Sequence, residues 1–247
     1  MDSAAFFEIE RSSEWLRIHL GGPRGHALRT EGLCELAEVV ENAAADGALP
    51  LLISAEAPSF CTGLDLDFAC TLDRAGLRAL MRAFHQALRA VFLYPAGTVA
   101  GVGGPALAGG AILALACDAR VVAEGAGRLG IHGIRLGIAY PDVAIEIVRR
   151  RFPRAVAEAI LYAGQTLAAE EAPVRGWADA LVSAEDLLDT ARGRLLKMGA
   201  GSRVFIENKK RLLEASARRL GSPESKGEER FLDVWFSGPT QQLLATR

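Results

Sequence analysis

The chain lacks an excess of charge of either sign. Its 247 residues hold 28 Lys and Arg against 30 Asp and Glu, a formal net charge of −2. That balance supplies no electrostatic pull toward nucleic acid or an anionic membrane. It also lacks metal and disulfide spacings. The four cysteines are Cys34, Cys61, Cys70 and Cys117, with no C-x-x-C pair, and His19, His26, His85 and His132 do not cluster beside them. No structural zinc, metal site or disulfide framework is therefore expected, and reduced, buried thiols in a cytoplasmic chain are. The acidic N-terminus has no basic n-region followed by an apolar core, so it does not read as a signal peptide. Aromatics are scarce at 6%, yet half of the residues are hydrophobic and the net charge is small, which excludes a disordered chain. There is no G-x-S-x-G, Walker loop or H-E-x-x-H.

What is present is one long uncharged run. Ala90 to Cys117 covers 28 residues without a charge, enough by length for a bilayer span. Pro95, Pro105 and six glycines break it, so a buried strand, a Gly-rich turn and a buried helix fit better, and no membrane partner is expected. Glycine is concentrated nearby: eleven of the 26 fall between Gly97 and Gly137.

Periodicity organises the rest. Phe6–Glu10 and Trp15–Leu20 read as a β-hairpin. A helix runs from Thr30 to Gly47, a doubly buried strand over Leu49–Ile53, and a helix over Leu77–Leu93. Thr98–Val102 and Asp118–Val122 read as strands flanking a short apolar helix, Ala108–Ala116. Val143–Arg151 and Arg154–Ala163 are helices parted by Pro153, and further helices are expected at about 168–175, 185–199, 202–219 and 227–245. Strands alternate with helices for two-thirds of the chain and helices alone follow, which is an α/β core with a helical C-terminal part.

Three segments carry a family resemblance. They are Leu51–Leu66 (LLISAEAPSFCTGLDL), Ala100–Arg120 (AGVGGPALAGGAILALACDAR) and Leu129–Ile138 (LGIHGIRLGI). Together with the loop Pro23–Leu28 they resemble the crotonase superfamily of enoyl-CoA hydratases and isomerases over nearly the whole chain. The resemblance implies an α/β fold: a crotonase-like spiral of ββα units over residues 1–190, then a helical trimerisation region over 191–247. It implies an acyl thioester substrate on coenzyme A or a carrier phosphopantetheine, with no separate cofactor. Implied partners are copies of the chain, as a homotrimer or dimer of trimers, and an acyl carrier protein.

The shared chemistry is an oxyanion hole of two backbone N–H groups that holds the thioester oxygen as an enolate forms. By position the resemblance gives Thr62 and Gly109. Gly109 opens an apolar helix, where free N–H groups and the dipole favour negative charge. The same Gly-rich stretch, Gly101 to Ala106, matches G-x-G-x-x-A with Glu124 downstream, but the oxyanion segment accounts for these residues. The resemblance places the thioester carrier around Arg24, His26 and Ala27 and around Phe60, Gly63 and Asp65, the last also a loop brace. Basic residues of 202–219, Lys209 among them, are candidates for its phosphates.

Two departures bear on the chemistry. The hydratases carry two glutamates, and the matching positions here are Ile112 and Gly133. Neither side chain can move a proton. A base must then come from Asp142, His132, Glu146 or Tyr140. Each has a structural rival: Asp142 as a helix N-cap, Glu146 as a partner of Arg149 or Arg150, and His132 and Tyr140 as packing residues. Cys61 adjoins Thr62 but has no basic partner in sequence. The decarboxylase branch places Tyr and Lys where this chain has Leu66 and Cys70. Isomerisation runs on one base and hydration ordinarily recruits two, so double-bond isomerisation is the expected activity. The alternatives are an acyl-CoA binding protein without turnover, or a hydratase or decarboxylase with relocated groups.

Overall fold

The structure is a computed structural model and describes residues 6–221 and 226–246. The N-terminal hairpin forms as expected: β1 (Phe7–Arg11) pairs antiparallel with β2 (Leu16–Leu20). A short turn of helix, α1 (Pro23–His26), leads to α2 (Thr30–Ala45), and β3 (Leu51–Ala55) then runs parallel to β2. After α3 (Leu66–Ala69) comes α4 (Arg74–Phe92), started by Asp73, whose carboxylate accepts the Gly76 N–H. Next are β4 (Thr98–Val102), β5 (Ala106–Leu107), α5 (Gly109–Ala116) and β6 (Ala119–Ala123). The main sheet has the order β1-β2-β3-β4-β6 and then a sixth strand, all parallel beyond the hairpin. β3, β4 and β6 are buried at every position. That is why their sequences run apolar without alternation.

The last third departs from the expectation of helices alone. After β7 (Arg128–Gly130), α6 (Asp142–Arg151) and α7 (Arg154–Ala163), the chain forms β8 (Thr166–Ala168) and then a single 3-10 turn at Ala169–Glu171. β8 pairs with β7, which pairs with β5, making a second, three-stranded sheet. β9 (Ala180–Val182) is the sixth strand of the main sheet, beside β6. α8 (Leu187–Lys197) packs on β3, β4 and β6, so the expected boundary at 190 falls inside a helix of the core. α9 (Arg203–Arg219) follows, capped by the Ser202 hydroxyl. The single helix expected over 227–245 divides into α10 (Lys226–Trp235) and α11 (Gly238–Ala245), because Pro239 in the first turn of α11 has no N–H to carry a helix through. Cys61 and Cys117 are buried, whereas Cys34 and Cys70 are exposed, contrary to expectation. Among the described residues no helix is long and apolar enough to cross a membrane.

One buried ion pair ties α9 to the sheet. Asp118, just before β6, accepts the Thr98 N–H at 2.9 Å and the Lys209 ammonium at 2.6 Å. Lys209 also donates to the Ala96 carbonyl at 2.9 Å. Burial pulls the ammonium's pKa down, and Asp118 opposes that shift. Lys209 is therefore corrected from a phosphate contact to an interior brace: its charge is not presented to a ligand. Removing one partner strands the other charge, which costs about 3–5 kcal/mol. Asp118→Ala should lower unfolding free energy by that amount in urea titration. Lys209→Met, which leaves Asp118 its Thr98 donors, should cost less.

Candidate active site

The site begins where two stretches of backbone meet without side chains between them. The loop after β3 runs against β5 and the start of α5. The Phe60 and Cys61 N–H groups both donate to the Pro105 carbonyl at 3.1 Å, and Leu107 N–H donates to Cys61 O at 2.9 Å. A Cβ on Gly110 would collide with the Cys61 carbonyl. Gly63 sits at φ +90°, and a Cβ there would stand 2.8 Å from the Gly109 nitrogen. Glycine is required at both places, by approach at Gly110 and by conformation at Gly63. Ala108, the residue before α5, is held at φ +46° with a Cβ present. Such strain persists only where the surroundings enforce it.

The N–H groups of this loop have separate destinations. Thr62 N–H goes to Gly25 O at 3.2 Å and Gly63 N–H to Cys61 Sγ at 3.4 Å. Leu28 N–H goes to Gly63 O at 2.7 Å and Asp65 N–H to Leu28 O at 3.0 Å, a short parallel bridge between 28 and 64. In such a bridge the intervening Leu64 N–H points the other way. Among the described residues neither Leu64 N–H nor Gly109 N–H finds a protein acceptor. The donor position expected at Thr62 is committed to Gly25, and the open donor lies two residues on. Local sequence could not reveal this, because the acceptors are supplied by the distant residues Gly25 and Leu28.

Leu64 and Gly109 lie in the wall of a cavity of about 90 Å³. Ile112 and Gly133 line it too, so both positions where the resemblance puts glutamates do face this space. Among the described residues no Asp, Glu, Lys or Arg contributes to the lining. Two of the four candidate bases do. Tyr140 accepts the Ile134 N–H at 3.2 Å and reaches Ile131 O at 3.5 Å, and burial pushes its phenol pKa up. His132 lines the cavity, and its Nδ1 is buried without a hydrogen-bond partner among the described residues. Burial, and then Arg135, hold the His132 pKa below its ordinary value, so the ring is neutral at pH 7.

The other two candidates lie elsewhere. Asp142 is the first residue of α6, after Pro141, rather than its N-cap. Its carboxylate packs against Gly227 at the start of α10, beside a separate small cavity. Glu146 bonds the Ser216 hydroxyl at 2.7 Å and the Arg219 guanidinium at 2.6 Å, not Arg149 or Arg150. Burial pushes its pKa up, but these partners outweigh that and hold it below the usual carboxylate range. Both residues are thus absent from the lining of the larger cavity.

The two segments assigned to the carrier lie side by side. His26 Nδ1 lies 3.1 Å from Phe60 O, and Ala27 and Phe60 are buried. Asp65 accepts the Phe68 N–H and pairs with Arg29 at 2.7 Å, a loop brace. The side chain of Arg24 lies outside the described residues. Burial raises the Cys61 thiol pKa to about 12, so it is no nucleophile.

Comparison with known proteins follows this geometry. Residues 10–240 match the family model of enoyl-CoA hydratase/isomerase. A Thermus thermophilus protein provisionally named an enoyl-CoA hydratase is 31% identical over 207 residues, covering 80% of this chain and 79% of that one. The 2,3-dehydroadipyl-CoA hydratase of Escherichia coli is 28% identical over 218 residues, covering 84% and 81%. The crystal structure of human mitochondrial delta3-delta2-enoyl-CoA isomerase shares the fold, with a TM-score of 0.90 over 98% of this chain and 96% of that one at 22% identity. With its mixed α/β crotonase fold and a family match over nearly its whole length, the chain belongs to the enoyl-CoA hydratase/isomerase family.

Proposed function

We propose that this chain processes an acyl thioester, carried on coenzyme A, by enolate chemistry and moves a carbon–carbon double bond. The observation that carries this reading is the pair of N–H groups, Leu64 and Gly109, without an acceptor among the described residues, in the wall of a mainly apolar cavity that His132 also lines. The thioester oxygen sits on the two N–H groups. The α-proton passes to His132 Nε2 while its bonding electrons move to that oxygen. The same proton returns at the γ-carbon as the electrons move back, which shifts the double bond by one position. One proton carrier is enough for this, whereas hydration must both activate water and deliver a proton.

The energetics are favourable. With Nδ1 buried and unpartnered, the resting ring keeps its proton on Nε2. Acting as a base needs the other tautomer, with a buried N–H costing about 1–3 kcal/mol. Each oxyanion donor contributes about 2.7–4 kcal/mol, so two of them outweigh that cost. A second reading, thioester binding without turnover, is favoured by Ile112 and Gly133, which leave the lining without a carboxylate.

The test uses 3-enoyl-CoA turnover and exchange of the α-hydrogens of acyl-CoA into D2O. His132→Gln should lower both by at least about 100-fold, with acyl-CoA affinity nearly unchanged. Asp142→Asn should stay close to wild type. Wild-type protein that binds acyl-CoA but neither exchanges nor isomerises would establish the binding reading instead.

The pH dependence follows from the histidines. His132 works as the neutral ring, so the acid limb of kcat/KM should lie below about 6.5 and vanish in His132→Gln. Stability has the same sign. Burial lowers the pKa of both His85 and His132. Once the pH falls below about 6.5, the unfolded chain takes up protons that the fold resists. Urea midpoints should therefore decline from there downward and stay level above, apart from other groups. A midpoint that rises on acidification through that range would contradict the two shifts.

A further inference from the structure

α10 supplies part of the cavity wall, and several ion pairs hold that helix in place. Phe231 of α10 is 4% exposed and stands in that wall. Behind Phe231 lies the separate small cavity, lined by His85, Asp142 and Glu228. Phe231, Met81 and Pro141 belong to both walls, so they form the partition between an apolar space and a polar one.

The partition is held from outside. Arg78 Nε and Arg82 Nε grip Glu228 at 3.1 and 2.8 Å, with the Glu228 side chain only 7% exposed. Arg78 and Arg74 reach Glu229 at 2.7 and 2.9 Å, and Arg74 reaches Asp233 at 2.6 Å. Isolated exposed ion pairs contribute little, but a network of shared guanidinium groups around a buried carboxylate fixes geometry. Asp142 packs against the first turn of the same helix, where the dipole favours a carboxylate. α4 and α6 thus both anchor the helix that carries Phe231.

We propose that Phe231 determines which acyl groups the site accepts, limiting them to short, uncharged chains. This rests on the thioester reading above. A cavity of about 150 Å³ holds one benzene ring, so the 90 Å³ here has room for about four carbons. A charged acyl end would be buried among mainly apolar residues, with no counter-charge among the described residues of the lining. Removing the Phe231 ring joins the apolar cavity to the polar one behind it and lengthens the channel.

The experiment is calorimetric titration of the wild-type chain, Phe231→Ala and Phe231→Leu with free coenzyme A and with butyryl-, hexanoyl-, octanoyl- and succinyl-CoA. Wild type should bind butyryl-CoA tightest, with hexanoyl- and octanoyl-CoA no tighter and succinyl-CoA weaker. Phe231→Ala should tighten the longer chains by about fourfold for each methylene newly accommodated, and Phe231→Leu by less. Should the alanine variant not fold, the leucine variant and the wild-type series carry the test. Wild-type preference for octanoyl-CoA, or variants with an unchanged profile, would overturn the role of Phe231. Butyryl-CoA bound no better than free coenzyme A would instead overturn the thioester reading.

Discussion

A side-chain carbon on Gly110 would collide with the Cys61 carbonyl, and everything at the site depends on that approach. It brings the loop after β3 against the first turn of α5 and lets Cys61 accept from Leu107. With that seam closed, the chain direction at 61–65 is fixed, and so is the aim of each N–H along it. Gly63 completes the turn at a backbone angle that a larger residue resists. Beside it Ala108 is held at positive φ, with its N–H on the Gly130 carbonyl. A helix N-terminus then stands with no acceptor for its first N–H among the described residues, next to a loop whose Leu64 N–H also has none among them.

The sequence made this seam visible because glycine is the only residue that permits it, and eleven of the 26 glycines crowd into Gly97–Gly137. The buried strands were equally legible: β3, β4 and β6 have no polar face, and their residues are apolar almost throughout. β8 and β9 were not, since three half-buried residues are too few for a period to appear. Thr62 and Leu64 differ in whether a carbonyl lies opposite: Gly25 O takes the Thr62 N–H, whereas Leu28 O takes that of Asp65, across a bridge that local pattern does not encode. Lys209 misled for a related reason. On its own helix it is one basic residue among several, and only Asp118, ninety-one positions away, turns it inward.

Asp142 shows how a correct element can carry a misplaced role. The helix start was legible from Pro141, and the residue does stand at that start. Whether its carboxylate faces the apolar cavity or the flank of α10 depends on where α10 lies, and α10 is placed by Arg74, Arg78 and Arg82 reaching across from α4. The spacing of these arginines, four residues apart, puts them on one helix face, ready to meet the acidic residues of a second helix. Their partners follow about 150 residues later. The charge balance of the whole chain therefore conceals a strongly polarised contact between two helices.

That contact changes what the apolar cavity can do. Without α10 the space beside Leu64 and Gly109 would open toward His85 and Asp142, and water would compete for both N–H groups. With Phe231 in place, the donors face a mainly apolar lining in which Thr62, His132 and Tyr140 are the polar side chains among the described residues. Electrostatic stabilisation of a developing oxyanion grows as water is excluded, because the local dielectric falls. In such surroundings the neutral state of His132 is favoured for the same reason that an enolate needs its two donors: charge is costly there unless a partner is waiting. Ile112 and Gly133 line the same cavity and bring no charge into it, which keeps that side of the space apolar.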